Sequence, residues 1–184
     1  DGLANVSRNE QETEAVDESQ TTETENKITL DASGNAAAGD QSTENKTAEP
    51  STLDELFGGE NLSVTYTGAE IAANYMEGGY YSLDAEQGKT FVIVGIDITN
   101  SGADEIAIDN FAKTPKFSVM VNGQEKAEEE NTILPSDFAL YQETVPAGVT
   151  ENTILLFQVP DSVTSVDSLD LFVNISGTNY QITL

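Results

Sequence analysis

The chain is predicted to be all-β: a two-sheet antiparallel sandwich of about seven or eight strands behind a disordered acidic N-terminal tail. Three observations point there. From residue 61 onward apolar residues recur at every second position, and Gly, Pro, Asn and Asp interrupt them at short intervals. That is the pattern of half-buried strands joined by tight turns. No segment carries a long 3.6-residue period, and all seven Phe and six Tyr lie from Phe57 onward, which confines the core-forming material to the later part of the chain. About 125 residues suffice for one core without disulfides, since domains of that size bury roughly two-thirds of their unfolded surface. A small barrel would give a similar alternation; the sandwich is the preferred of the two.

The elements follow in order. Residues 1–51 hold only Leu3, Val6, Val16, Ile28 and Leu30 as large aliphatics, among runs such as QETEAVDESQTTETEN. Such a stretch cannot offset an ordering cost of roughly 1–2 kcal/mol per residue, so it is expected to be a disordered tether. Residues 27–30 (KITL) are the exception in type, being suited to adding a strand to a sheet edge. Four residues offer little side-chain area to hold such a strand, and they stay with the tether. Residues 52–60 are expected to form a short helical turn and junction. Ser51 is placed as its cap, Asp54 three residues on, and Gly58 as a left-handed exit. Leu53, Leu56 and Phe57 would plug the domain.

The sandwich then occupies residues 61–184. Leu62, Val64 and Tyr66 alternate with Ser63, Thr65 and Thr67 as a first strand. Lys89–Asn100 (KTFVIVGIDITN) is the strongest strand: Val92, Val94, Ile96 and Ile98 line one face, while Phe91 and Ile93 make the start of the other apolar too. It is expected to be central and covered on both sides at its beginning. A short strand through Ile106 and Ile108 follows. Phe117, Val119 and Val121 lead to Asn122-Gly123, which tolerates positive φ at both hairpin positions, with a return strand over residues 124–127. Residues 152–159 (NTILLFQV) form a second long strand, stopped by Pro160. Leu169, Leu171, Val173 and Ile175 alternate next, Gly177 turns the chain, and residues 180–184 close it.

Charge and composition exclude whole classes of function. With 33 Asp plus Glu against 7 Lys plus Arg, the formal net charge is -26. Residues 1–60 carry 15 acidic side chains against Arg8, Lys27 and Lys46, so self-repulsion favours an extended tether. A tether of about 50 residues has an r.m.s. span of roughly 40 Å. A surface this negative repels nucleic acid and anionic lipid. There is no Cys, His or Trp. Disulfides, thiolate or imidazole metal centres, and Ser-His or Cys-His nucleophiles are therefore excluded, and no cofactor is expected. Paired carboxylates could hydrolyse glycosides, but nothing marks such a pair and no Trp supplies a sugar platform, so no enzymatic activity is expected.

Two motifs carry a resemblance. Residues 88–100 (GKTFVIVGIDITN), followed by a Ser-Gly turn and Glu105-Ile106, resemble the G-K-x-F-x-x-V-x-I-x-I-x-N strand of the bacterial domain of unknown function 4352. Val145-Pro146-Ala147-Gly148, with a strand ending Leu156-Phe157-Gln158-Val159-Pro160, is similar to that family's P-x-G … G-x-L-x-F-x-V-P block. Together they span roughly residues 62–184, although residues 68–87 do not align. The resemblance implies an Ig-like sandwich related to a mycobacterial immunoprotective extracellular antigen. It also implies a secreted or lipid-anchored Gram-positive protein with a polar tether, and it supplies no catalytic or binding residue. The residues explain their own pattern: Asn100 can bond its turn backbone, Gly148 permits a turn, and Pro160 ends a strand.

The chain begins with Asp and has no apolar stretch near eighteen residues, which fits a processed exported protein whose lipidated Cys would lie upstream. A salt-adapted protein would share the acidic surface. Two sites are candidates. Tyr75, Met76, Tyr80 and Tyr81 surround Gly78-Gly79. As a binding surface, Tyr offers large contact area with only two torsions to freeze; the plainer alternative is that Tyr75 and Tyr81 cover the core edge of an ordinary hairpin. Three carboxylate groups are the second: Asp97, Asp104, Glu105 and Asp109; Glu128, Glu129 and Glu130; Asp161, Asp167 and Asp170. If they converged at one end they could bind calcium, though no D-x-D-x-D-G loop is present. The expected function is a non-enzymatic Ig-like binding module of a bacterial cell envelope, extracellular or lipid-anchored, with another envelope or extracellular protein as partner. The alternative is a calcium-stabilised structural or adhesive surface domain.

Overall fold

Residues 47–184 are described by the computed structural model; residues 1–46, including the fragment at 27–30, lie outside it. Twelve strands are described: β1 (Glu49–Ser51), β2 (Leu62–Ala72), β3 (Asn74–Glu77), β4 (Tyr81–Asp84), β5 (Lys89–Asn100), β6 (Ile106–Ala107), β7 (Lys116–Val121), β8 (Glu125–Glu128), β9 (Thr144–Val145), β10 (Thr150–Pro160), β11 (Leu169–Ile175) and β12 (Thr178–Ile182). One short helix, α1 (Leu53–Phe57), precedes β2. Those beyond the expected seven or eight are short pieces of two to four residues.

Two sheets form the sandwich, a five-stranded one ordered β1-β12-β11-β7-β8 and a three-stranded one ordered β10-β5-β2. Val92, Val94, Ile96 and Ile98 of β5 and Leu155, Phe157 and Val159 of β10 pack against Phe117, Val119 and Val121 of β7 and Leu171 and Val173 of β11. The alternation in each strand thus sends one apolar set into a shared core. β5 is central, as expected, between β10 and β2. Its other face is also covered at the start, where Phe91 and Ile93 form a second cluster with Leu134 and Leu156. The Asn122-Gly123 hairpin has φ of 53° and 67°, the paired left-handed geometry that a two-residue turn requires.

Four features depart from the sequence expectations. Glu49–Ser51, placed in the tether, form β1 and pair in parallel with β12, so the domain begins before residue 52 and is not wholly antiparallel. The helix cap is Thr52 rather than Ser51: its hydroxyl accepts from the Glu55 amide, and the Glu55 carboxylate accepts from the Thr52 amide. Ser51 Oγ also donates to Glu55, and these bonds hold the Glu55 carboxyl below its ordinary pKa. Gly58 leaves the helix extended (φ -79°, ψ -171°). Glycine suits this position for lack of space: a Cβ there would lie 2.5 Å from the Asp54 carbonyl oxygen. Finally, residues 129–143 contribute buried Leu134, Phe138, Ala139 and Tyr141 without any regular alternation.

That segment decides how the three-stranded sheet ends. β10 is an edge strand, and the loop covers it: the Glu130 amide donates to the Leu156 carbonyl, Phe138 to Ile154, and Ile154 back to Ser136. An edge that would otherwise invite pairing with another chain is thereby closed along this stretch. The plug forms as expected, with Leu53 and Phe57 buried. Phe57, Phe117 and Phe138 meet with ring centroids 5.0–5.9 Å apart. Lys113 lies 4.9 Å over the Phe57 ring and donates to the Leu56 carbonyl.

Candidate binding surface

β3 and β4 form a hairpin with Tyr75 opposite Leu83 and Glu77 opposite Tyr81. Gly78 and Gly79 turn it at φ of 59° and 73°, values that side chains with a Cβ adopt at a cost. The hairpin is fastened to the three-stranded sheet at its base. The Ala85 amide donates to the Ala73 carbonyl, Thr90 Oγ1 to the Ala72 carbonyl, and the Glu86 amide to Gln158 Oε1. Tyr75 and Leu83 pack on the Phe91–Ile93–Leu134–Leu156 cluster. At its side, Ser136 Oγ donates to Glu77 Oε2 at 2.5 Å and lies 3.4 Å from the Tyr75 hydroxyl.

The four sequence candidates therefore divide. Tyr75 packs the hairpin down and belongs to the core edge. Tyr81, assigned to the core edge in the plainer alternative, is 42 % exposed instead, and Met76 and Tyr80 stand out at 66 % and 94 %. The sequence reading missed their companions. Ile133, 83 % exposed, and Leu140, 37 %, lie in the loop that Ser136 ties to the hairpin. Of the exposed large apolar residues described, only Phe111 and Leu184 lie elsewhere. A concentration of exposed apolar side chains on two linked segments is what interaction surfaces present, whereas scattered single residues carry no such meaning.

Two recesses flank the hairpin. One, of about 380 Å³, has Gly68, Gly95, Tyr75, Ile93 and Ile154 in its lining. The other, of about 340 Å³, brings together Glu77, Ser136, Tyr141, Glu143, Glu151 and Asn152. Burial, then the charges of Glu151 and Glu143, push the Tyr141 hydroxyl above its ordinary pKa. The described lysines are placed elsewhere. Lys116 and Lys126 line a groove on the five-stranded sheet, Lys113 serves the plug, and Lys89 is paired with Glu86 at 2.8 Å.

The carboxylates proposed for calcium do not gather. Asp97 accepts from Asn152, Asp109 from Gln142 and the Ala112 amide, and Asp167 from Ser165. Among the described residues no three metal-ligating side chains lie close enough to share an ion. The converging arrangement expected as an alternative does not form among the described residues, where Asp97 and Asp109 are instead engaged by Asn152 and Gln142. One pair does meet away from the surface. Asp137, buried, accepts from Thr132 Oγ1 and from the Ala139 and Leu140 amides, and Glu129 hydrogen-bonds to it. Burial first, and then the charge of Asp137, raise the Glu129 carboxyl to about 8. No described helix is long and apolar enough to cross a membrane.

No family model matches the chain, and no curated protein matches it. Solved structures similar to it include an uncharacterised β-sandwich protein of Clostridium difficile, at 18% identity and a TM-score of 0.43, covering 67% of this chain and 85% of that one. A conserved hypothetical protein of Bacillus anthracis is similar at 11% identity and a TM-score of 0.37, covering 68% and 89%. A candidate lipoprotein of Bacillus subtilis is similar at 11% identity and a TM-score of 0.36, covering 67% and 36%.

Proposed function

We propose that this β-sandwich is a non-enzymatic binding module of a bacterial cell envelope, extracellular or lipid-anchored, and that the β3–β4 hairpin with its neighbouring loop contacts another envelope or extracellular protein. The observation that carries this reading is the exposure of Met76, Tyr80, Tyr81 and Ile133 on segments joined through Ser136. Tyr and Met are favoured where a surface must be both wet and adhesive, since each offers apolar area with a polar or polarisable atom. The Gly-Gly turn raises Tyr80 off the domain while the base of the hairpin stays fastened, so binding would freeze few additional torsions. The envelope setting rests on the resemblance of residues 88–100 and 145–160 to the domain of unknown function 4352 and on the acidic, cysteine-free composition.

A photo-reactive residue at position 80, compared with one at position 161 on another part of the surface, tests this. Cross-linking in whole cells to one discrete envelope protein from position 80 alone is the expected result. Equal labelling from both positions would reject the hairpin as the contact.

A further inference from the structure

We propose that the recess between the hairpin and β10 takes a lysine or arginine side chain from an extended segment of the partner, while the apolar residues of that segment lie on Met76, Tyr80 and Ile133. This rests on the reading of the hairpin as the contact surface and names the chemistry of what it contacts. Glu77, Glu143 and Glu151 reach the recess from three elements, and no lysine lines it. None of the three is in a salt bridge among the described residues. Burial, and then the charges of Glu151 and Glu143, make the Tyr141 phenol at this recess harder to ionise. Charges that face one another across a partly enclosed groove repel, and a cation from outside relieves that repulsion.

The backbone gives a reason for an extended segment. The loop of residues 129–138 covers the β10 edge at Ile154 and Leu156. By the two-residue alternation of an antiparallel ladder, Asn152 turns its backbone toward that same edge, beyond the covered stretch and beside the recess. A strand laid there would place alternate side chains to the two sides, one toward the carboxylates and the next toward the apolar residues. Among the described residues no lysine satisfies the site in place, since Lys116 and Lys126 lie on the five-stranded sheet, Lys113 bonds the Leu56 carbonyl and Lys89 is held by Glu86.

The test uses the full chain and an acetylated, amidated pentapeptide of alternating leucine and arginine, with the leucine–glutamate peptide as counterpart, at 150 mM salt. Amide chemical shifts should move at residues 76–81, 133–143 and 151–152 with the arginine peptide only. Glu143→Gln with Glu151→Gln should weaken binding about five- to tenfold, the effect of two partly screened ion pairs. Asp161→Asn with Asp170→Asn removes the same charge elsewhere and should leave affinity nearly unchanged. Equal weakening by both pairs would mean attraction by net charge alone and overturn the proposal, as would no binding at millimolar peptide. Met76→Ser with Tyr80→Ser separates the two readings. If that variant weakens binding and the glutamate variant does not, the cationic pocket falls and the hairpin surface stands. If neither does, both fall.

Discussion

Glu129→Gln should stabilise the protein at neutral and mildly alkaline pH, and the gain should grow with pH. Glu129 lies beside Asp137, and both belong to the loop that covers the β10 edge. Folding raises the Glu129 carboxyl from 4.5 to about 8. Below pH 4.5 it is protonated in both folded and unfolded chains, and its contacts count in full. Between pH 4.5 and about 8 the unfolded chain has lost the proton and the folded chain keeps it, so stability falls by about 1.4 kcal/mol per pH unit. By pH 7.5 that amounts to about 4 kcal/mol, a large share of the stability of a domain this size. Glutamine keeps a donor toward Asp137 and cannot ionise. Urea denaturation of both proteins from pH 4.5 to 8.5 should give curves that coincide in acid and diverge above it, with the variant more stable by about 3–4 kcal/mol at pH 7.5. Titration of the remaining carboxylates is common to both proteins and cancels in the difference. A constant difference across that range would refute the reasoning that burial beside Asp137 raises the Glu129 carboxyl.

Two further outcomes follow from the packing and the carboxylates. Phe57→Ala empties the centre of the Phe57–Phe117–Phe138 cluster and should cost about 3–5 kcal/mol, lowering the thermal midpoint by roughly 10 °C; a loss below about 1 kcal/mol would mean that α1 does not plug the core. Calcium at 5 mM should leave the midpoint of the purified domain within about 1 °C of its value in chelator, because no three ligating side chains gather among the described residues. A rise of several degrees would restore the calcium-stabilised alternative.

The long strands were legible because their faces alternate without a break. In β5, Val92, Val94, Ile96 and Ile98 announce one buried face, and Phe91 with Ile93 announce a second cover at its start. Asn100 was legible too. It is fully buried, and its side chain bonds the Asp104 and Val145 carbonyls and the Gly102 amide, an extension of the turn-holding role expected from its place after the last buried position. Glu49–Ser51 were not legible, because a three-residue strand without large apolar side chains becomes one only by lying beside β12. The segment of residues 129–143 was missed for a different reason. Its buried residues face several elements at once, so no single period describes them.

The candidate surface shows the same division. Four residues around a Gly-Gly turn could be named from sequence. Whether each ring points inward depends on Ser136, 61 residues from Tyr75, and on Leu134 beneath the hairpin. Ile133 and Leu140 could not be assigned to that surface without knowing where their loop returns.

The sequence by itself determined where the long sandwich strands run, which face of each is buried, and how far acidic residues outnumber basic ones. These follow from local periodicity and composition, which need no knowledge of neighbours. Only the tertiary structure decided which strands adjoin, which edge the 129–138 loop closes, that Glu129 lies partly buried beside Asp137, and that Glu77, Glu143 and Glu151 face one recess. Each of those joins residues distant in sequence, and their proximity, burial and field exist only once the two sheets have packed.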